Sequence, residues 1–187
     1  MLVERQLISR LKERVSRHDN RLVLKLTNGH SVVREDSPGE EFDGVYDASG
    51  NVNRKFTLSD YLRKEDYFMV EVHYYEGRTF ELINAKTGDV TEIGNEPIFS
   101  PDRKHFVIVI GDYGDLNSVE VWLFDPPKIN REFKYEPNDW HYINVKWLSS
   151  SSIDLFERDS YSEKESGGNI LARINYKNGE WEILHSP

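Results

Sequence analysis

One four-residue corner recurs along this chain and limits its fold more than any other feature. It reads Thr27-Asn28-Gly29-His30, then Lys86-Thr87-Gly88-Asp89, then Lys177-Asn178-Gly179-Glu180. Asn-Gly is the strongest short hairpin signal, because both residues tolerate the positive φ of a type I′ turn, and Asn28-Gly29 is expected to form one. The flanks of the last two corners agree as well: Glu81-Leu82-Ile83-Asn84 is similar to Ala172-Arg173-Ile174-Asn175. Asp125-Pro126-Pro127-Lys128 occupies the equivalent place between them. Gly29, Gly88, Lys128 and Gly179 stand 59, 40 and 51 residues apart. A period of about 40–50 residues with about four strands in each unit is the pattern of propeller blades.

The segments between the corners read as strands. Tyr67–Tyr75 is aromatic and β-branched, with Phe68, Val70, Val72 and Tyr74 on one face and Tyr67, Met69, Glu71, His73 and Tyr75 on the other. Leu22, Leu24 and Leu26 alternate with Val23 and Lys25. Further strands are expected over 79–84, 90–93, 106–110, 119–124, 131–135, 143–147, 153–157, 170–176 and 180–184. Residues 35–55 are poor in core material and rich in acids and glycine, which predicts a long loop with a small hairpin near Asp47–Asn51. Only the N-terminus prefers helix: Leu7, Ile8, Leu11 and Val15 are spaced for a short amphipathic helix over 3–13. The expected fold is all-β and propeller-like, or a half-propeller, with about three to four antiparallel blade-like units. The expected organisation is a basic N-terminal segment, 1–14, ahead of a single propeller-like domain, 15–187.

Glu96-Pro97-Ile98-Phe99-Ser100-Pro101-Asp102-Arg103-Lys104-His105-Phe106 resembles the repeat of TolB-type, WD40-like propellers, in which a P-x-F-S-P-D-G-K corner joins two inner strands. Arg103 stands where that repeat usually has glycine. Val119–Asp125 resembles the same repeat's third strand and closing Asp, and Val145-Lys146-Trp147-Leu148-Ser149-Ser150 is a degenerate copy. The span from Val15 to Glu157 also resembles a group of small bacterial proteins that share the Val70–Gly88 and Glu96–Asp102 patterns. Members of that group look secreted or lipid-anchored, which implies a fold and a compartment but no activity. A chain that has lost a leader would be periplasmic or secreted; otherwise it would be cytoplasmic.

Charge and composition narrow the function classes. Net charge is −9, from 24 basic and 33 acidic residues, which argues against nucleic-acid and anionic-membrane binding. Residues 1–21 carry +3 and the remainder −12, so the basic lead could dock on its own domain or on a partner. No apolar run reaches the ~18 residues of a membrane-spanning helix. There is no cysteine, so thiol, disulfide and zinc-ribbon chemistry is absent.

No catalytic motif stands out. There is no G-x-S-x-G, no H-E-x-x-H and no glycine-rich phosphate loop. No cofactor is expected. Asp112, Asp115 and Asn117 form an oxygen-rich loop, a weak calcium candidate that lacks the bidentate glutamate of an EF-hand; an Asx turn explains it as well. Glu71 and His73 share a strand face, which also fits a plain surface pair. With 33 acids, close carboxylate pairs are bound to occur, so a hydrolase using such a pair is an alternative without a specific signal. Tyr75, Tyr113, Trp140 and Tyr142 fall near turns, and aromatics dominate binding hot spots. These four are the candidate binding residues of a non-enzymatic interaction domain with an acidic surface, suited to a protein or peptide partner. An inhibitor or immunity-type protein is a variant of the same idea. Exposed edge strands could also pair two copies into a homodimer, with the basic N-terminal segment as an edge cover.

Overall fold

The structure, a computed structural model, describes residues 2–37, 53–75, 77–111, 118–136, 143–157 and 170–185. They form one helix and fifteen strands in four antiparallel sheets, which agrees with an all-β, multi-blade reading. The chain divides into two compact units, Met1–Gly94 and Asn95–Pro187.

The first unit opens with α1 (Leu2–Arg10), followed by a three-stranded sheet of β1 (Val15–His18), β2 (Arg21–Lys25) and β3 (Ser31–Glu35). Its second sheet is a meander of β4 (Lys55–Leu62), β5 (Tyr67–Tyr74), β6 (Gly77–Asn84) and β7 (Val90–Ile93). Alternation decides what is buried. Leu22 and Leu24 of β2 face Phe56, Leu58, Phe68, Val70 and Val72 of the second sheet, and Leu7, Ile8 and Leu11 pack on the same cluster. Each of these large side chains contributes about 1.5–3 kcal/mol when fully buried.

The second unit repeats the plan. Its first sheet holds β8 (Ile98–Phe99), β9 (His105–Ile110), β10 (Ser118–Asp125) and β11 (Lys128–Tyr135). Its second holds β12 (Ile143–Ser149), β13 (Ser152–Glu157), β14 (Ile170–Lys177) and β15 (Glu180–His185). Val107, Val119 and Val121 of one sheet pack on Ile153, Leu155, Ala172, Ile174 and Trp181 of the other.

Each of the four recurrent corners joins the last two strands of its own sheet: β2 to β3, β6 to β7, β10 to β11 and β14 to β15. A second repeat lies in the backbone. The residue just before one strand of each sheet accepts an amide at the end of the strand it pairs with. The bonds are Lys25 N–H to Arg14 at 2.7 Å, Ala85 to Asp66 at 2.9 Å, Phe124 to Lys104 at 2.7 Å and Tyr176 to Ser151 at 2.9 Å. By this bond β1 corresponds to β5, β9 and β13, the second strands of the other sheets. The three-stranded sheet therefore lacks its first strand, and α1 takes that place in chain order.

The corners differ in detail from expectation. Gly29 alone is left-handed in its turn, with φ 88°, and Gly29 N–H bonds Leu26 at 3.2 Å while Leu26 N–H bonds His30 at 2.8 Å. This is a longer loop closed by one left-handed glycine rather than a type I′ turn. The two-residue turn with both φ values positive is at Asn178 (53°) and Gly179 (93°), where Lys177 and Glu180 are register partners. Two strands escaped the periodicity. Val15, which continues the helical spacing of Leu7, Ile8 and Leu11, instead opens β1. In β4 a bulge between Leu58 and Asp60 breaks the alternation.

Candidate functional site

The β5–β6 hairpin carries Tyr75. Tyr74 pairs with Gly77, so Tyr75 follows the last paired residue of β5. Alternation sends Val70, Val72 and Tyr74 to the core and leaves Tyr75 outward, 48% exposed. The strand face leading to it is charged. Arg78 Nη1 donates to Glu71 Oε1 at 2.9 Å, and His73 Nε2 stands 3.4 Å from Glu71 Oε2. Lys55 and Arg78 both pair with His73 in register. Glu71, His73, Lys55 and Arg78 thus share one face of these strands. The guanidinium already on Glu71 also argues against a cation held by Glu71 and His73.

Tyr113, Trp140 and Tyr142, with the calcium candidates Asp112, Asp115 and Asn117, lie outside the described residues. Among the described residues no group of three or more His, Cys, Asp or Glu could hold a metal ion. No described helix is long and apolar enough to cross a membrane.

The acids that composition left undifferentiated separate in space. Glu81, Glu120 and Asp154 are buried, and each is met by an arginine: Arg34 at 2.7 Å, Arg131 at 2.7 Å and Arg173 at 2.6 Å. Glu120 also accepts the Trp122 indole at 3.0 Å. Glu132 accepts Trp181 Nε1 at 3.0 Å and lies 3.3 Å from His105 Nε2. Two arginines of the basic N-terminal region are half-buried against acids as well, while Arg5, Arg10, Lys12 and Arg21 are exposed. Arg14 binds Asp66 at 3.0 Å and Arg17 binds Glu4 at 2.8 Å and Asp36 at 3.1 Å.

Among the described residues two carboxyl groups have shifted pKa values, and both move down. At Asp66, burial pushes upward, but the Tyr61 hydroxyl and the Arg14 guanidinium prevail and hold it below the ordinary value. At Asp102, burial is again outweighed, here by hydrogen bonds from Ser100, the Lys104 amide and Ser150. A general acid needs the opposite shift. Tyr61 is raised, chiefly by burial and then by its bond to Asp66. Burial also raises Tyr67. Trp181 is core, and Trp122 stacks on Phe106 with ring centroids 5.9 Å apart.

The Ser-Pro-Asp corner joins β8 to β9. Ser100 Oγ donates to Asp102 at 2.7 Å, Ser100 N–H bonds His105 at 2.9 Å, and Arg103, with φ 60°, lies 4.3 Å over the Phe99 ring.

No protein-family model matches the chain, and no curated protein matches it. A solved S. cerevisiae structure of a Dbp5 variant bound to Nup159, a Gle1 variant, IP6 and ADP contains a chain that aligns over 92% of this one at 9% identity. The TM-score is 0.40, and the alignment spans 46% of that chain.

Proposed function

We propose that the chain is a non-enzymatic binding domain built from TolB-type, WD40-like repeats, which takes a protein or peptide partner through outward aromatic side chains. Tyr75 is the member whose surroundings are known; Tyr113, Trp140 and Tyr142 are the others the sequence nominates. The observation that carries this reading is the position of Tyr75. A large aromatic ring is held half-exposed at the end of a paired, core-anchored strand, beside a rim of charged groups. That is the arrangement of an anchor residue at an interface. The repeat assignment is supported by the four corners falling at equivalent places and by the Ser100-Pro101-Asp102 turn between first and second strands.

The carboxylate-pair hydrolase gains no support from the described acids. The buried ones are occupied by arginines, and the two shifted ones are depressed.

The test is selection of a displayed random-peptide library on the full chain, repeated on Tyr75→Ala with thermal melting of both proteins. Enriched peptides that bind the parent and are lost on an equally stable Tyr75→Ala protein are the expected result. No enrichment, or peptides indifferent to Tyr75→Ala, would overturn the assignment of this residue.

A further inference from the structure

The sheet β12–β15 has one sealed face and one open face. Val145, Trp147, Ile153, Leu155, Ala172 and Ile174 point into the core of the second unit. Strand alternation sends Asp154, Phe156, Arg173 and Leu184 the other way, and the register shift after Leu155 sets Ile170 beside Phe156 on that second face. There Ile170 is 43% exposed and Leu184, on the adjacent strand, 50%. Neighbouring aliphatic side chains on one sheet face mark an interaction surface.

The register of the two central strands says which partner fits. On the open face Phe156 pairs with Ile170, Asp154 with Arg173, and Ser152 with Asn175. Each pair matches in chemistry: apolar with apolar, anion with cation at 2.6 Å, and hydroxyl with amide at 2.7 Å. A two-fold axis parallel to the strands and midway between β13 and β14 lays β13 of one copy over β14 of the other. Every residue then faces the copy of its own register partner, so a face complementary across β13 and β14 is complementary to itself. Such self-complementarity is the requirement of an isologous dimer, and twisted sheets pack face to face in this way in sandwiches. At the margins the same axis sets Leu184 of β15 over Lys146 of β12 in the second copy, because Lys146, Asp154, Arg173 and Leu184 form one row.

We propose that the open face of β12–β15 docks a second copy of this chain, with β13 of each copy over β14 of the other. The pairing uses sheet faces and leaves edge strands free.

The test uses the full chain in sedimentation equilibrium across the micromolar range. The parent shows a concentration-dependent monomer–dimer equilibrium. Leu184→Lys places a cation against Lys146 of the second copy and raises the dimer dissociation constant by about tenfold or more. Leu184→Glu places a carboxylate there and keeps or tightens the dimer. Within one copy Leu184 is the register partner of Arg173, so the two variants also differ in folding, and thermal melts at concentrations where the chain is monomeric measure that difference separately from dimerisation. A monomeric parent, or equal dimer dissociation constants for Leu184→Lys and Leu184→Glu, would overturn the proposal.

Discussion

Glu4 Oε1 accepts the Leu58 amide at 3.0 Å, so a helix side chain makes the hydrogen bond that a neighbouring strand would otherwise make. Two further groups on this stretch of β4 are treated alike. Phe56 N–H donates to Asp36 Oδ1 at 2.8 Å, and Phe56 C=O accepts from Arg17 Nη2. Arg17 in turn binds both Glu4 and Asp36. An open strand edge invites another chain, and charged side chains are one way to blunt it. Here the N-terminal segment and the residue after β3 occupy the edge directly.

Glu4→Ala should therefore cost more than an ordinary surface change. Glu4 is only 8% exposed, and its loss orphans the Leu58 amide and one partner of Arg17. The expected destabilisation is about 2–4 kcal/mol in urea unfolding. Glu4→Gln keeps an acceptor for Leu58 and should recover part of it. Faster hydrogen exchange at the Leu58 amide in Glu4→Ala alone would locate the effect; equal loss in both variants would assign it to charge.

Gly88→Ala should be the most damaging of the corner substitutions. Gly88 has φ 83°, and an added Cβ would stand 2.9 Å from Leu26 Cδ1 and 3.3 Å from Val32 Cγ2. Gly29 and Gly179 also have positive φ, but nothing lies within 4 Å of a Cβ there. Alanine should cost about 1 kcal/mol at Gly29 or Gly179 through φ alone, and about 2–4 kcal/mol at Gly88 where overpacking adds. Thermal melts of the three variants test the ranking, and equal losses would remove the packing contribution.

Arg103→Gly sets two small effects against each other. The left-handed φ of 60° favours glycine by about 1 kcal/mol, while the guanidinium over Phe99 contributes about 0.5–1 kcal/mol. The net change should stay within about 0.5 kcal/mol of zero. Arg103→Ala loses the stack and keeps the strain, so it should be the less stable of the two variants in urea titration.

The corners were legible because their chemistry is local: a glycine or proline pair, polar neighbours and a strand on each side. Tyr75 was legible for the same reason, since alternation along Tyr67–Tyr75 puts Tyr74 inward and Tyr75 outward. β4 was not, because its bulge after Leu58 shifts the phase of the apolar positions and Asp60 interrupts the run. The fates of Glu4, Glu81 and Glu120 were not legible either. Their arginines lie 13, 47 and 11 residues away in sequence, and no local pattern links such pairs. Asp154 and Arg173 were readable only once the register of β13 and β14 was known.

Asp66 should give the chain an acid-sensitive part of its stability. Its carboxylate accepts Tyr61 Oη at 2.5 Å and Arg14 Nη1 at 3.0 Å, between the turn before β5 and the residue before β1. Its folded pKa lies below the ordinary aspartate value of 3.8. A depressed carboxylate stabilises the fold fully above its unfolded pKa, and the contribution fades as pH falls through the folded pKa. Asp66→Asn should cost about 1–3 kcal/mol at pH 7 because Arg14 loses its counter-charge. The gap between parent and variant should narrow only below about pH 4, with the parent losing stability more steeply there. Chemical denaturation at a series of pH values from 7 to 3 measures both slopes. A gap that closed near pH 6 would point to a histidine instead, and a constant gap would mean that the Arg14–Tyr61–Asp66 contact adds no charge-dependent stability.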